Sequence, residues 1–199
     1  MEEAILVRHA ETELNISGLV NGDPVVVVAL TEAGARQARR LGEALADEPI
    51  ELCVTSEFGR TQDTADLALA GREIPRLELA DLNDPRYGTY EGRSLEEYRE
   101  WASQHGPTEV VPGDGGESRA QIAHRYARAA RTLLARPERL LLVVTHSLPV
   151  RYLVDAAQAR VPGPRVGLVE YGRPYRLRAG ELEQAAERLE RWCRAPSWQ

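Results

Sequence analysis

The stretch Ala4-Ile5-Leu6-Val7-Arg8-His9-Ala10-Glu11-Thr12-Glu13-Leu14-Asn15 decides how this chain is read. Its apolar run predicts a short buried β-strand, which delivers Arg8 and His9 to the edge of a sheet, where open α/β folds keep their ligand sites. An imidazole is neutral and nucleophilic near neutral pH, whereas a guanidinium keeps its charge. Side by side, they suit attack on a phosphate group whose oxygens need neutralising. A lone Arg-His pair at a strand end carries little weight, so the reading depends on what stands further along the chain.

Working outward, residues 50–56 read as a second strand, and Glu57-Phe58-Gly59-Arg60-Thr61-Gln62-Asp63-Thr64-Ala65 opens a helix after it. Arg60 falls in that helix's first turn, where free N–H groups and the positive end of the dipole favour an anion. Residues 75–79 predict a third strand leading into Asp81-Leu82-Asn83-Asp84-Pro85-Arg86-Tyr87-Gly88-Thr89-Tyr90-Glu91-Gly92. The most apolar run, residues 140–144, predicts a central strand covered on both faces. It ends in Thr145-His146-Ser147 before a helix start, so His146 repeats the placing of His9. Thr31 is the expected N-cap of a helix with Ala35, Ala38, Leu41, Ala44 and Leu45 on one face. Ser94 with Glu97, and Ser118 with Gln121, predict capping boxes for two more helices. Residues 166–171 and 175–178 predict a strand pair, and residues 181–193 a closing amphipathic helix. Strands alternating with helices indicate the α/β class.

Five blocks occur in order from residue 5 to about residue 151: Arg-His-Ala-Glu-Thr-x-x-Asn, Ser-x-x-x-Arg-x-x-x-Thr-Ala, Leu-x-Asp-x-x-x-Gly-x-x-Glu-Gly, Gly-Gly-Glu-Ser and the strand–His–helix block at His146. This series resembles the histidine phosphatase superfamily, also called the phosphoglycerate mutase-like family. The resemblance implies a three-layer α/β/α sandwich around a mostly parallel sheet, with a pocket at the strands' C-terminal ends. It implies that His9 is a nucleophile, that Arg8, Arg60 and His146 hold phosphate oxygens, and that Asp84 transfers protons. Asn15 and Ser17 would line the phosphate pocket. Many members have glutamate where Asp84 stands, and Asp81 and Glu91 compete for the acid role. Glu117 reads equally as a pocket-rim group and as a helix-start charge.

The chain has 199 residues and a formal net charge of −6, which argues against a general nucleic-acid or anionic-membrane surface. One domain, residues 1–199, is expected. All 25 basic residues are arginine, so a phosphate clamp has only guanidinium or imidazole to use. Cys53 and Cys193 read as free thiols without metal-ligand spacing, and neither metal nor cofactor is expected. The first strand begins close to Met1 with no room for a signal peptide, and no run is long enough for a membrane span, so a cytoplasmic protein is expected. His105 reads as a solvent-facing turn residue and His124 as a helix-surface or core-edge residue. The run Pro24-Val25-Val26-Val27-Val28-Ala29 departs from the family pattern. It reads as an apolar lip over the pocket, an edge strand or a contact with a second subunit of a homodimer.

The expected activity is metal-independent hydrolysis of a small phosphate ester through a phosphohistidine, fastest on the acidic side of neutrality. Two alternatives stay open. A mutase would return the phosphoryl group to a substrate; the family's dedicated mutases resemble longer chains with an added segment before the second histidine block, an interval that is short here. A binding module would hold a phosphorylated ligand without turning it over.

Overall fold

The computed structural model describes residues 1–198. In chain order its elements are β1 (Glu3–Arg8), α1 (Glu13–Ile16), α2 (Glu32–Ala44), β2 (Leu52–Thr55), α3 (Gly59–Ala68) and β3 (Arg76–Glu78). After two short 3₁₀ turns come α4 (Leu95–Gln104), α5 (Arg119–Leu134), β4 (Leu140–Thr145), α6 (Ser147–Ala157), β5 (Pro174–Arg178) and α7 (Ala179–Arg194). The sheet order is β3-β2-β4-β1-β5, with β5 alone antiparallel to its neighbour.

Successive residues of a strand point to opposite faces, and here both faces are covered. Ala4, Leu6, Leu141 and Val143 pack with Ile122, Tyr126, Leu153 and Leu189 of α5, α6 and α7. Ile5, Val7, Leu142 and Val144 pack with Leu41, Ala65 and Ala68 of α2 and α3 on the other side. Unbroken apolar runs result because neither face meets water. The caps of α2, α4 and α5 form as expected: Thr31 accepts the Gly34 N–H, and Ser94–Glu97 and Ser118–Gln121 make capping boxes.

This winding places the site. β1 and β4 are adjacent and parallel, but the chain leaves β1 for α2 on one face and leaves β4 for α6 on the other. A crevice opens at the carboxyl ends of such strands, as at any topological switch point.

Two local expectations change, for residues 166–171 and for His105, and the alternatives for the valine run narrow to the lip. Residues 166–171 form no strand, and β5 pairs with β1 instead, Ala4 opposite Leu177. The carbonyls of this stretch are taken by side chains: Arg99 donates to Val166 O (3.3 Å), Arg151 to Gly167 O (3.2 Å) and Arg8 to Val169 O (2.7 Å). The valine run is also irregular: Val25 and Val27 are 82% and 93% exposed, while Val28 is buried and lines the crevice as a lip. His105 is half-buried, stacked on Trp101 at 4.5 Å with Nδ1 2.7 Å from the Trp101 carbonyl. His124 is exposed. Cys53 and Cys193 are free thiols, and burial pushes both up to about 11. Among the described residues, no helix is long and apolar enough to cross a membrane.

Candidate active site

Arg8 is paired in register with Thr145, and the His9 N–H donates to the Thr145 carbonyl (2.8 Å), so His9 and His146 leave their strands together. Their rings meet edge to face, centroids 5.3 Å apart. His9 Nδ1 lies 2.7 Å from the Ala10 carbonyl. A carbonyl only accepts, so Nδ1 carries the proton and Nε2 presents its lone pair. Burial first, then the charges of Arg60 and Arg8, hold this imidazole well below its usual range, so it stays neutral.

His146 is tied the other way. Its Nδ1 faces an Arg60 nitrogen at 3.2 Å, and a guanidinium only donates, so the His146 proton sits on Nε2. That N–H donates to Ser56 Oγ (2.9 Å); Ser56 in turn donates to Thr61 Oγ1 (3.0 Å), and Thr61 to the Phe58 carbonyl (2.8 Å). Burial, Arg60 and His9 also push His146 well below the usual imidazole range.

Arg60 joins the groups. It enters from the first turn of α3 and rests on the Phe58 ring at 4.1 Å. Its Nε donates toward His9 Nε2 (3.3 Å), and its terminal nitrogens donate to Asn21 Oδ1 (2.8 Å), Asn21 O (3.1 Å) and Asp84 Oδ2 (3.3 Å). Arg8 lies 3.8 Å over the Tyr171 ring, and its Nε has no partner.

Asp84 Oδ2 is also 3.6 Å from His146 Nδ1. Burial raises its carboxyl to about 6 against the opposing pull of Arg60, Arg8 and Arg125. The loop carrying it is held from α5: Arg125 donates to the Asp81, Asn83 and Asp84 carbonyls and pairs with both oxygens of Glu117 (2.8 and 3.0 Å). Glu117 is thus an anchor for this loop rather than a rim group or a plain helix-start charge. Gly22 packs against the same loop so closely that a Cβ would lie 2.0 Å from the Pro85 carbonyl. The rival carboxylates are spent elsewhere. Asp81 pairs with Arg128, and Glu91 accepts the N–H groups of Gly22 and Tyr87 (2.8 Å each).

The crevice is a cleft of about 800 Å³ including its mouth, within the range of small-molecule sites. Arg8, His9, Arg60, Asp84 and Asn15 all line it, and His146 bonds to Arg60 directly behind. Asn15 spends Oδ1 on a capping box with Thr12, leaving its amide nitrogen for other partners. Ser17 is not brought in: it is exposed at the end of α1, and its hydroxyl donates to the Glu13 carbonyl (3.2 Å). Sequence reasoning missed Asn21, Ser56, Arg125 and Tyr171. Ser56 stood in a recognised block without a role, and the other three carried no signal in their own surroundings.

The chain as a whole is similar to known proteins. The adenosylcobalamin/alpha-ribazole phosphatase of Salmonella typhimurium is 33% identical over 61% of this chain, which spans 63% of that protein's length. A 2,3-bisphosphoglycerate-dependent phosphoglycerate mutase of Methylobacterium sp. is 30% identical over 94% of this chain and 97% of its own. The crystal structure of the alpha-ribazole phosphatase from Shigella flexneri superimposes with a TM-score of 0.74 at 26% identity, over 87% of this chain and 89% of that one. The model of the histidine phosphatase superfamily, branch 1, matches residues 4–194, and this chain belongs to that family.

Proposed function

We propose that the chain hydrolyses phosphomonoesters by two displacements at phosphorus. His9 Nε2 attacks in line; the N–P bond forms as the ester P–O bond breaks, and Asp84 delivers its proton to the leaving oxygen. Asp84 then takes a proton from water, which attacks the phosphohistidine, breaks the N–P bond and releases phosphate. Arg8 and Arg60 hold the equatorial oxygens, with Asn15 as a further donor, and His146 joins them when the negative charge of the phosphate draws a second proton onto its Nδ1. In phosphoryl transfer such positioning and charge stabilisation supply most of the catalysis. The protein's own cations occupy the place a metal has elsewhere, so none is required.

One observation carries the reading: the His9 ring is fixed by the Ala10 carbonyl so that its unprotonated nitrogen faces Arg60. Asp84 supports it, because a carboxyl near 6 is protonated for part of the population at working pH and can still act as a base. Its shorter side chain reaches within hydrogen-bond distance of Arg60, which speaks against a binding module disabled by lack of reach. Relatives named alpha-ribazole phosphatases favour a small-molecule substrate. The test is phosphate release from a phosphomonoester panel in excess chelator, by the wild type and by His9→Ala. Release by the wild type alone is expected; wild-type-like turnover in the variant would sink the mechanism.

The mutase reading is kept because a mutase aligns along nearly the whole chain. Exchange between phosphoglycerate isomers, stimulated by a bisphosphorylated primer and faster than phosphate release, would replace hydrolysis with transfer.

A further inference from the structure

Among the described residues, only two buried side-chain nitrogens or oxygens lack a hydrogen-bond partner: Nε of Arg8 and Nε of Arg119. Both arginines line the cleft. Arg8 is accounted for by the phosphate site beside His9. Arg119 is not, since it shares no hydrogen bond with His9, Arg60 or His146.

Arg119 is the first residue of α5 and only 6% exposed. Its guanidinium lies 5.4 Å over the Tyr98 ring, and its terminal nitrogens make two long bonds, to Tyr152 Oη (3.3 Å) and Pro164 O (3.4 Å). No carboxylate among the described residues pairs with it. A buried guanidinium without a counter-charge is costly, and a charged donor with no acceptor more so. The charge balance of the cleft points the same way. Four arginines line it, Arg8, Arg60, Arg99 and Arg119; Asp84 is the one carboxylate in the lining, Glu96 beside the cleft pairs with Arg99 (3.9 Å), and neither pairs with Arg119. A phosphate monoester brings at most about two negative charges and sits at the Arg8–Arg60 end, which leaves Arg119 uncompensated.

We infer that Arg119 forms a second anion subsite in the same cleft, and that the substrate is a phosphomonoester carrying a second negatively charged group. The proposal rests on the phosphate site described above and adds the substrate class to it. Leu14, Leu19, Leu95 and Leu148 also line the cleft, so a mostly apolar spacer between the two anionic ends suits its walls. The second group is a carboxylate or another phosphate, whose shared chemistry is anionic oxygen for the guanidinium fork.

Non-hydrolysable probes test this without relying on turnover. Calorimetry would compare n-alkylphosphonates with ω-phosphonocarboxylates and α,ω-bisphosphonates of matched length, across spacers of about two to about six carbons. At the length that spans the subsites, the second anion should tighten wild-type binding about tenfold or more. The better of the two series identifies the group. In Arg119→Met the ratio between charged and alkyl partners should collapse toward one, and Arg119→Lys should restore part of it. Absence of any gain in the wild type, at every length and in both series, overturns the proposal even if the variant does not fold. A ratio that survives in a folded Arg119→Met also overturns it. If alkylphosphonates and inorganic phosphate both fail to bind the wild type, the phosphate site itself is wrong and this subsite falls with it; if they bind without any gain, only the subsite falls.

Discussion

His9 and His146 stand at the ends of neighbouring parallel strands, both buried and both beside Arg60, yet their ring nitrogens are used in opposite senses. His9 ties its Nδ1 to the carbonyl of the next residue and leaves Nε2 for the cleft. His146 ties its Nε2 to a chain of hydroxyls leading into α3 and leaves Nδ1 toward Arg60 and Asp84. The anchor, more than the sequence position, separates an attacking nitrogen from a holding one. A ring fixed at Nδ1 by a short local bond can take a bulky phosphoryl group on Nε2 without disturbing its surroundings. A ring fixed at Nε2 by a buried chain keeps its orientation while Nδ1, once protonated beside the phosphate, donates to an oxygen.

The comparison breaks most sharply on covalent labelling. A phosphoryl group trapped from a labelled ester should be found on His9, and His9→Ala should show neither label nor turnover above background. Label on His146 would invert the assignment. Removing the acid comes next. Asp84→Asn should lower kcat about 10²–10⁴-fold for esters with poorly leaving alkoxides, and much less for p-nitrophenyl phosphate, whose leaving oxygen needs no proton. An equal loss for both would mean that Asp84 only positions Arg60. The pH dependence follows from the same group. Asp84 holds its proton below about 6 and loses it as pH rises, so the rate with alkyl esters should fall through that region in the wild type, and that limb should vanish in Asp84→Asn. His146→Ala should follow with a loss of about 10²–10³-fold in kcat, the usual cost of one oxyanion donor, while the phosphoenzyme still forms slowly on His9.

The sequence disclosed the parts of this pair that depend on burial and on helix ends. Both strands announce themselves as continuous apolar runs because helices cover both faces, and Arg60 announces itself by standing in a first turn. The anchors of His146 and Arg60 were hidden because they join distant residues. Ser56 and His146 are 90 positions apart, and Asn21 and Arg60 are 39 apart, so nothing local marks either contact. Ser17 misled for a physical reason: Thr12-x-x-Asn15 is itself a capping box, which turns the chain into a single helical turn and points the end of that turn to solvent. Residues 166–171 have a strand's composition, yet arginines from α4, α6 and β1 capture their carbonyls before any sheet ladder can.

The smallest expected effect is the most informative about the anchors. Ser56→Ala removes the acceptor that holds the His146 Nε2 proton and leaves that donor buried and unpaired, which should cost about 1–3 kcal/mol of stability. The ring can escape by moving its proton to Nδ1, but an N–H there would face the guanidinium of Arg60, so the alternative tautomer loses its partner as well. Catalysis should therefore fall modestly, about threefold to tenfold, as one ordinary hydrogen bond is lost from a group that still stands directly behind the cleft. The loss should be the same for alkyl and p-nitrophenyl esters, because holding an oxygen does not depend on the leaving group. Ser56→Thr, which keeps a hydroxyl at that position, should recover most of it. A Ser56→Ala variant that loses stability but no activity would show that Arg60 alone orients His146, and the two histidines would then differ only in what lies ahead of them.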